Sequence, residues 1–293
     1  MTPATLDTRP ELFDALGALV GTPHAEAYTC FCAHQTHGVR ALRIERPTLG
    51  VLLRGRMRLR GDDSALSMTT GDAFVFTRAC SVDTINEPDA AGVFLALVVP
   101  LCDEVIAAAR LLWARPGARG GPDAIALPAL QLSESLATWA ASLRRDDPGA
   151  ARAALASALV ALCALGHSAI LAPTPPTLAA RIRARVAETP DRAWQSSDFE
   201  TEFGLSGATL RRHLAIEGVG LRDTITDARL ACALHWLYTT RWPIQTIAAR
   251  VGYRSAATFS RRFARRYGAE PLQIGKDEAQ SAAAVADGRM PGT

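Results

Sequence analysis

No stretch of this 293-residue chain is apolar over the length that a bilayer crossing needs. The longest apolar helical run, AALASALVALCALG at 153–166, has 14 residues, and a span takes about 20. The N-terminus carries Asp7, Glu11 and Asp14 among its apolar residues, which suits a short surface helix and not a signal peptide. A cytoplasmic protein with no membrane partner is expected. The six cysteines, at 30, 32, 80, 102, 163 and 232, are scattered and form no Cys-x-x-Cys. They read as mostly reduced thiols. Histidine is missing between His37 and His167, and neither a Gly-rich phosphate loop nor a nucleophile elbow occurs. Lysine is nearly absent, since 31 of the 32 basic residues are Arg.

What is present describes an ordinary globular protein, with 48% hydrophobic and 21% charged residues and length enough for two domains with separate cores. The net charge of +3 is unevenly spread. Residues 177–276 hold 16 Lys and Arg against 9 Asp and Glu, whereas residues 1–176 hold 15 against 17. Basic charge is gathered in the C-terminal third, as a polyanion partner requires.

The first hundred residues favour strands. TLGVLLRG (48–55) is a buried-strand run, and RMRLR (56–60) alternates Met57 and Leu59 with arginines, the period of a half-buried strand. Gly55 between them marks a tight hairpin or a bulge. DAFVF (72–76) and VFLALVV (93–99) follow, and this spacing suggests a small barrel or sandwich. Past Pro100 the pattern turns helical. SLATWAASLRR (135–145) and ARAALASALVALCALG (151–166), separated by a DDPG breaker, predict an antiparallel helical hairpin at about 133–166. Two readings of the hairpin stand: a cover over the open side of the barrel, or a dimerisation surface on which Leu159 and Leu162 face a partner chain. APTPPT (172–177) is a Pro-rich linker, and 276–293 reads as a disordered tail.

From Thr177 to about Ile274 the pattern is helical throughout. SGATLRRHLA (206–215) and SAATFSRRFA (255–264) agree at five of ten positions. Each follows an apolar helical stretch and a glycine, Gly204 or Gly252, suited to a left-handed turn. Each begins with a serine, Ser206 or Ser255, suited to an N-cap. Phe259, Phe263 and Tyr267 recur on one face of the second copy, as Leu210 and Leu214 do in the first, leaving small residues and Arg outward. Helix, glycine turn and capped helix, twice, is a tandem helix-turn-helix. Two such helices held in one chain suit successive major grooves, roughly 34 Å apart.

The run RLACALHWLYTTRWPIQTIAARVGYRSAATFSRRFARRYGAEP closely resembles the signature of AraC/XylS-type transcriptional regulators, and the resemblance covers about residues 178–275. PTLGVLLRGRMRL, TTGDAFVF and EPDAAGVFLALVVP resemble, less specifically, the cupin-type effector domain of one branch of that family. The fold expected is α+β: a cupin-like sensor and dimerisation domain at 1–171, then an all-α domain of two helix-turn-helix units at 178–275. The resemblance implies double-stranded promoter DNA and RNA polymerase as partners and an activator's role; a small-molecule or protein effector of the barrel and a homodimer formed through the hairpin are also expected, and no cofactor is. It assigns base contacts to Ala208, Arg211 and Arg212 in the first unit. In the second it assigns them to Ala256, Ala257, Ser260 and Arg261, with Arg265 one turn further on, beside Arg262 and Arg266, set against phosphates. Two departures stand out. Glu200 occupies a position where the family has a small Ala, kept as Ala248 in the second unit, and PLQIGK replaces the usual Tyr-Arg after the last Pro. The first unit is expected to pack or read DNA less firmly.

YTCFCAHQTH (28–37) carries a rival reading. On a strand, Cys30, Cys32 and His34 share a face and could bind zinc or copper or sense redox state, with His37 near; equally, they suit a barrel wall. A catalytic cupin would carry His-x-His and Glu on early strands and a later His. Here no such set is present, and Asp83 stands where the later ligand belongs, so an enzyme is not expected and no catalytic residue is assigned.

Overall fold

The apolar run at 48–54 is buried along nearly its whole length because it lies inside a sheet covered on both faces. In the computed structural model, which describes residues 8–21, 27–118, 120–172 and 175–274, the chain divides into two compact units, Met1–Thr174 and Pro175–Thr293. Asp7 and the segment 276–293 lie outside the described residues.

The N-terminal unit runs α1 (Thr8–Gly17), β1 (Thr29–Ala33), β2 (His37–Ile44), β3 (Thr48–Arg54), β4 (Arg56–Arg60), β5 (Ala65–Thr69), β6 (Asp72–Phe76), β7 (Cys80–Glu87), β8 (Phe94–Pro100), α2 (Asp103–Trp113), β9 (Ala124–Pro128), α3 (Ser133–Arg144) and α4 (Pro148–Ala164). The strands form two antiparallel sheets, ordered β1-β8-β3-β6-β9 and β2-β7-β4-β5, in keeping with the barrel or sandwich that the strand spacing suggested. Gly55, at φ +91°, does not close a hairpin. β3 and β4 belong to different sheets, and the glycine turns the chain from one to the other. A side chain there would run into the Glu87 carbonyl. Asp83, at the supposed ligand position, serves the backbone instead, since its Oδ1 accepts from the Ala41 N–H at 2.7 Å. That bond holds the bulge where β2 slips register against β7 and Ala41 takes φ +46°.

One face of the five-stranded sheet carries Leu49, Val51, Leu53, Val75, Leu97, Val99, Ile125 and Leu127. These pack with the helices through Leu12, Leu16, Ile106, Trp139, Leu155, Leu159 and Leu162. Two expectations change here. Leu12 and Leu16 of α1 are buried, so α1 is a covering helix and not a surface one. Leu159 and Leu162 are 0% exposed within their own chain's core, so they do not face a partner; at these positions the hairpin covers the sheet. An Ala-rich α4 is what permits this, since Ala151, Ala154, Ala156 and Ala158 let α4 pack closely within its own unit.

The C-terminal unit is helical: α5 (Leu178–Glu188), α6 (Ser196–Phe203), α7 (Gly207–Ile216), α8 (Leu221–Thr239), α9 (Ile244–Arg250), α10 (Ala256–Tyr267) and α11 (Pro271–Ile274). The Glu217 carboxylate, just past α7, accepts from the backbone N–H of Leu178 and Ala179 at 2.8 and 2.9 Å. It thereby caps the start of α5, favourably placed at the positive end of the helix dipole.

Leu159→Ala removes buried methyl groups from the centre of the N-terminal unit and is expected to cost about 2–5 kcal/mol. Urea unfolding of wild type and variant measures it. A loss well under this range would mean that the site collapses around the smaller side chain.

Candidate nucleic-acid interface

The outward face of α10 exists because its inward face is held by rings. Phe259, Phe263 and Tyr267 are buried, with centroids 5.6 and 4.9 Å apart along the helix. Ile247, Ala248 and Val251 are buried beside them. Gly252 takes φ +80°, and the turn closes through Gly252 N–H to the Ala249 carbonyl and Tyr253 N–H to the Ala248 carbonyl, both at 2.9 Å. The Ser255 hydroxyl caps α10 by accepting from Thr258 N–H. Opposite the rings, Ala257, Arg261, Arg262 and Arg265 are exposed, and Ala256, Thr258 and Ser260 are partly so. Arg266 is different from its neighbours: its Nε donates to Asp227 Oδ1 at 2.9 Å, and its guanidinium lies over the Tyr267 ring. It belongs to the packing of α10 on α8, not to a phosphate-facing group with Arg262 and Arg265.

The first copy repeats the arrangement. Gly204 caps α6 at φ +63°, and Leu205 N–H reaches the Glu200 carbonyl at 3.0 Å, as Tyr253 reaches Ala248. The Ser206 hydroxyl accepts from Thr209 N–H at 3.2 Å. Leu210 and Leu214 are buried together with Phe199, which stacks on Trp194 at 5.2 Å. Ala208, Arg211 and Arg212 point to solvent. Each unit therefore brings its own small and basic side chains onto one exposed helix face. α8 runs between the copies, burying Ala228, Leu230, Ala233, Leu234 and Leu237.

This geometry can be set beside known proteins. The family model described as a helix-turn-helix domain matches residues 200–277. The urease operon transcriptional activator of Escherichia coli is 32% identical over 96 residues, 33% of this chain and 32% of that protein. The HTH-type transcriptional regulator ExsA of Pseudomonas aeruginosa is 32% identical over 91 residues, 30% of this chain and 33% of its own length. Residues 200–277 are thus a helix-turn-helix domain. This chain spans about a third of the length of those relatives. The fold is similar to that of unsaturated fatty acid bound ToxT from Vibrio cholerae. That likeness has a TM-score of 0.57 and 13% identity, and covers 85% of this chain and 97% of that one.

Within the C-terminal unit, one structural residue stood in the quoted signature without a role. Arg229 of α8 donates from Nε to the Pro190 carbonyl at 2.8 Å and from Nη2 to the Arg192 carbonyl at 2.7 Å. Its guanidinium also lies where a Gly252 Cβ would come within 3.2 Å. Arg229 therefore clasps the loop before α6 and backs the turn of the second unit. The signal available in the sequence was an Arg on an otherwise apolar stretch of α8.

Gly252→Ala is expected to destabilise the domain more than Gly204→Ala. Both carry a cost of about 1–2 kcal/mol for a left-handed non-glycine residue. At 252 the new Cβ also meets the Asp191 backbone at 3.2 Å, whereas nothing stands within 4 Å at 204. Thermal unfolding of the two variants orders them; an equal loss would show that the Asp191 backbone yields freely.

In the N-terminal unit, Cys30 and Cys32 pair in register with Leu97 and Leu95 of β8, and Cys30 packs on the helix-side core. Burial pushes its thiol up to about 11, away from the thiolate that binds metals. Cys32 Sγ lies 3.9 Å from His34 Nε2, and His34 Nδ1 is 3.1 Å from the Gly92 carbonyl. His37 does not join them: its Nδ1 meets the Gln35 carbonyl at 2.9 Å, and its Nε2 lies 3.3 Å from Asn86 Nδ2. Among the described residues no three His, Cys, Asp or Glu side chains are grouped to hold a metal ion.

Burial lowers the His37 pKa. The unfolded chain, with His near about 6.5, then binds the proton more readily than the fold does. The stability contributed by neutral His37 is complete above that pH and is lost as pH falls through the unfolded value toward the folded one. Melting temperature is expected to drop as pH is lowered below neutrality, and less steeply in His37→Gln. Parallel slopes for the two proteins would remove His37 as the source.

Proposed function

We propose that this chain is a sequence-specific DNA-binding transcriptional regulator that reads promoter DNA through α7 and α10. The observation that carries the reading is the doubled face of small and arginine side chains, Ala208, Arg211 and Arg212 on one helix and Ala257, Ser260 and Arg261 on the other, each on a helix locked from behind by apolar residues. The short side chains let the backbone enter a major groove, and Arg261 then reaches a guanine edge, where two hydrogen bonds give about 1–3 kcal/mol of discrimination. Arg265, one turn on, meets the phosphates of the groove's rim.

The helix-turn-helix domain and relatives named as transcriptional activator and regulator support a regulator over an enzyme. On this reading the chain activates transcription by contacting RNA polymerase, as a homodimer in the cytoplasm. No helix among the described residues is long and apolar enough to cross a membrane. The N-terminal barrel is the receptor for the effector. The buried residues on its inner strand faces include Met57, Met68, Phe74, Phe76 and Phe94, with His37, Thr84 and Asn86 as polar ones. That composition suits a largely apolar molecule bearing a hydrogen-bonding group. The unsaturated fatty acid in ToxT is a ligand of the same character.

Selection from randomised duplex DNA tests the reading. Arg261→Ala is expected to relax preference at one base pair. Arg265→Ala is expected to weaken every sequence alike and to flatten the salt dependence by about one unit. An unchanged preferred base at every position in Arg261→Ala would place the reading face elsewhere.

A further inference from the structure

The two helix-turn-helix copies share the hydrogen bond from the residue after the turn glycine and their capping serines, yet differ at two positions that lie against each other in the first copy. The second copy has Ala248, which is buried, on α9 and Ala256 at the start of α10. The first pairs Glu200, which is partly exposed, with Gly207 at the start of α7. The Glu200 carboxylate is folded over Gly207. Ser196 Oγ donates to its Oε1 at 2.6 Å, and a Cβ on residue 207 would lie 2.6 Å from Oε1 and 3.2 Å from Cδ. The larger side chain on α6 is thus accommodated by the missing one on α7, and the serine tethers it.

This places a negative charge one residue before Ala208, on the groove-facing end of the first reading helix. Recognition helices bring their N-terminal residues to the base edges, between phosphate rims of a groove about 12 Å across. A carboxylate there lies within the Debye length of about 8–10 Å from the phosphates.

We infer that Glu200, seated by Gly207 and Ser196, is an electrostatic brake on the first reading helix, so that the second unit anchors the protein on DNA and the first engages weakly. The inference rests on the DNA-binding reading above and adds to it an inequality between the units, which makes occupancy of the first half-site the step open to control.

The test uses the full-length protein and a labelled random-sequence duplex, with affinity followed by fluorescence anisotropy from low to high salt. Glu200→Gln keeps the shape and the serine bond and removes the charge. It is expected to bind about three- to tenfold more tightly at low salt, with the advantage shrinking toward none as salt screens the repulsion. The double variant E200A/G207A, which rebuilds the pair of the second copy, is expected to change in the same direction and guards against a local packing fault in the first variant. Equal or weaker binding by both variants overturns the brake. So does a gain that persists undiminished at high salt, since that would be packing and not charge. A shift in preference at one base pair without a gain in affinity also overturns it, since Glu200 would then be accepting from a base amino group. If the wild-type protein shows no salt-dependent binding, the DNA-binding reading itself falls, a result distinct from equal binding by wild type and variants.

Discussion

The ring ladder of Phe259, Phe263 and Tyr267 is the contact on which the rest of the C-terminal unit depends. A helix that offers alanine, serine and arginine to solvent has almost no apolar surface to bury on that side, and its attachment must come wholly from the other. Three aromatic side chains at successive turns, with centroids 5.6 and 4.9 Å apart, supply that attachment along the full length of α10. They bury far more area per residue than aliphatic side chains would. Fixing one face so firmly leaves the opposite face unconstrained by packing, which is the condition for it to be shaped by a ligand. The first copy meets the same requirement with Leu210 and Leu214 backed by the Trp194–Phe199 stack.

Position matters as much as attachment. The exposed faces are aimed by the two glycine turns, and the turns are backed differently. Gly204 stands in open space, whereas Gly252 is pressed between the Arg229 guanidinium and the Asp191 backbone. Arg229 binds two carbonyls of the loop before α6 while touching the turn after α9, so one side chain ties the start of the first unit to the turn of the second. Arg266, held by Asp227, adds a second tie between α10 and α8. Two of the domain's arginines are therefore framework, and the basic surface is smaller than the composition alone implies.

The N-terminal unit solves a different problem. Its five-stranded sheet is apolar on both faces, so it must be covered twice: by the second sheet on one side and by α1 to α4 on the other. The Ala-rich hairpin forms part of that cover, with Leu159 and Leu162 at its centre. The inner strand faces retain polar groups at His37, Thr84 and Asn86 among phenylalanine and methionine. The unit thus has a core for stability on one side of a sheet and a chemically mixed interior on the other.

Much of this was legible in the order of residues. Periodicities of two and 3.6, the alternation in RMRLR, the doubled serine-capped helix, and the glycines before each cap are local signals, because strand pleat, helix pitch and left-handed turns are set within a few residues. The inward Phe259, Phe263, Leu210 and Leu214 follow from the same periodicity, and so do the outward Arg211, Arg212, Arg261 and Arg265. What lay beyond reach depended on pairings across tens of residues. An apolar face shows that something covers it but not whether the cover is a partner chain or the same chain, which is why Leu159 was open to both readings until the fold placed it in its own core. A glycine between strands marks a hairpin or a bulge without saying which strands pair, so only the fold shows that Gly55 carries the chain from one sheet to the other. An arginine on a helix is a cation until its neighbours are known; only the tertiary structure separates Arg229 and Arg266, whose guanidinium groups are consumed by carbonyls and a carboxylate, from Arg261 and Arg265, which remain on the surface.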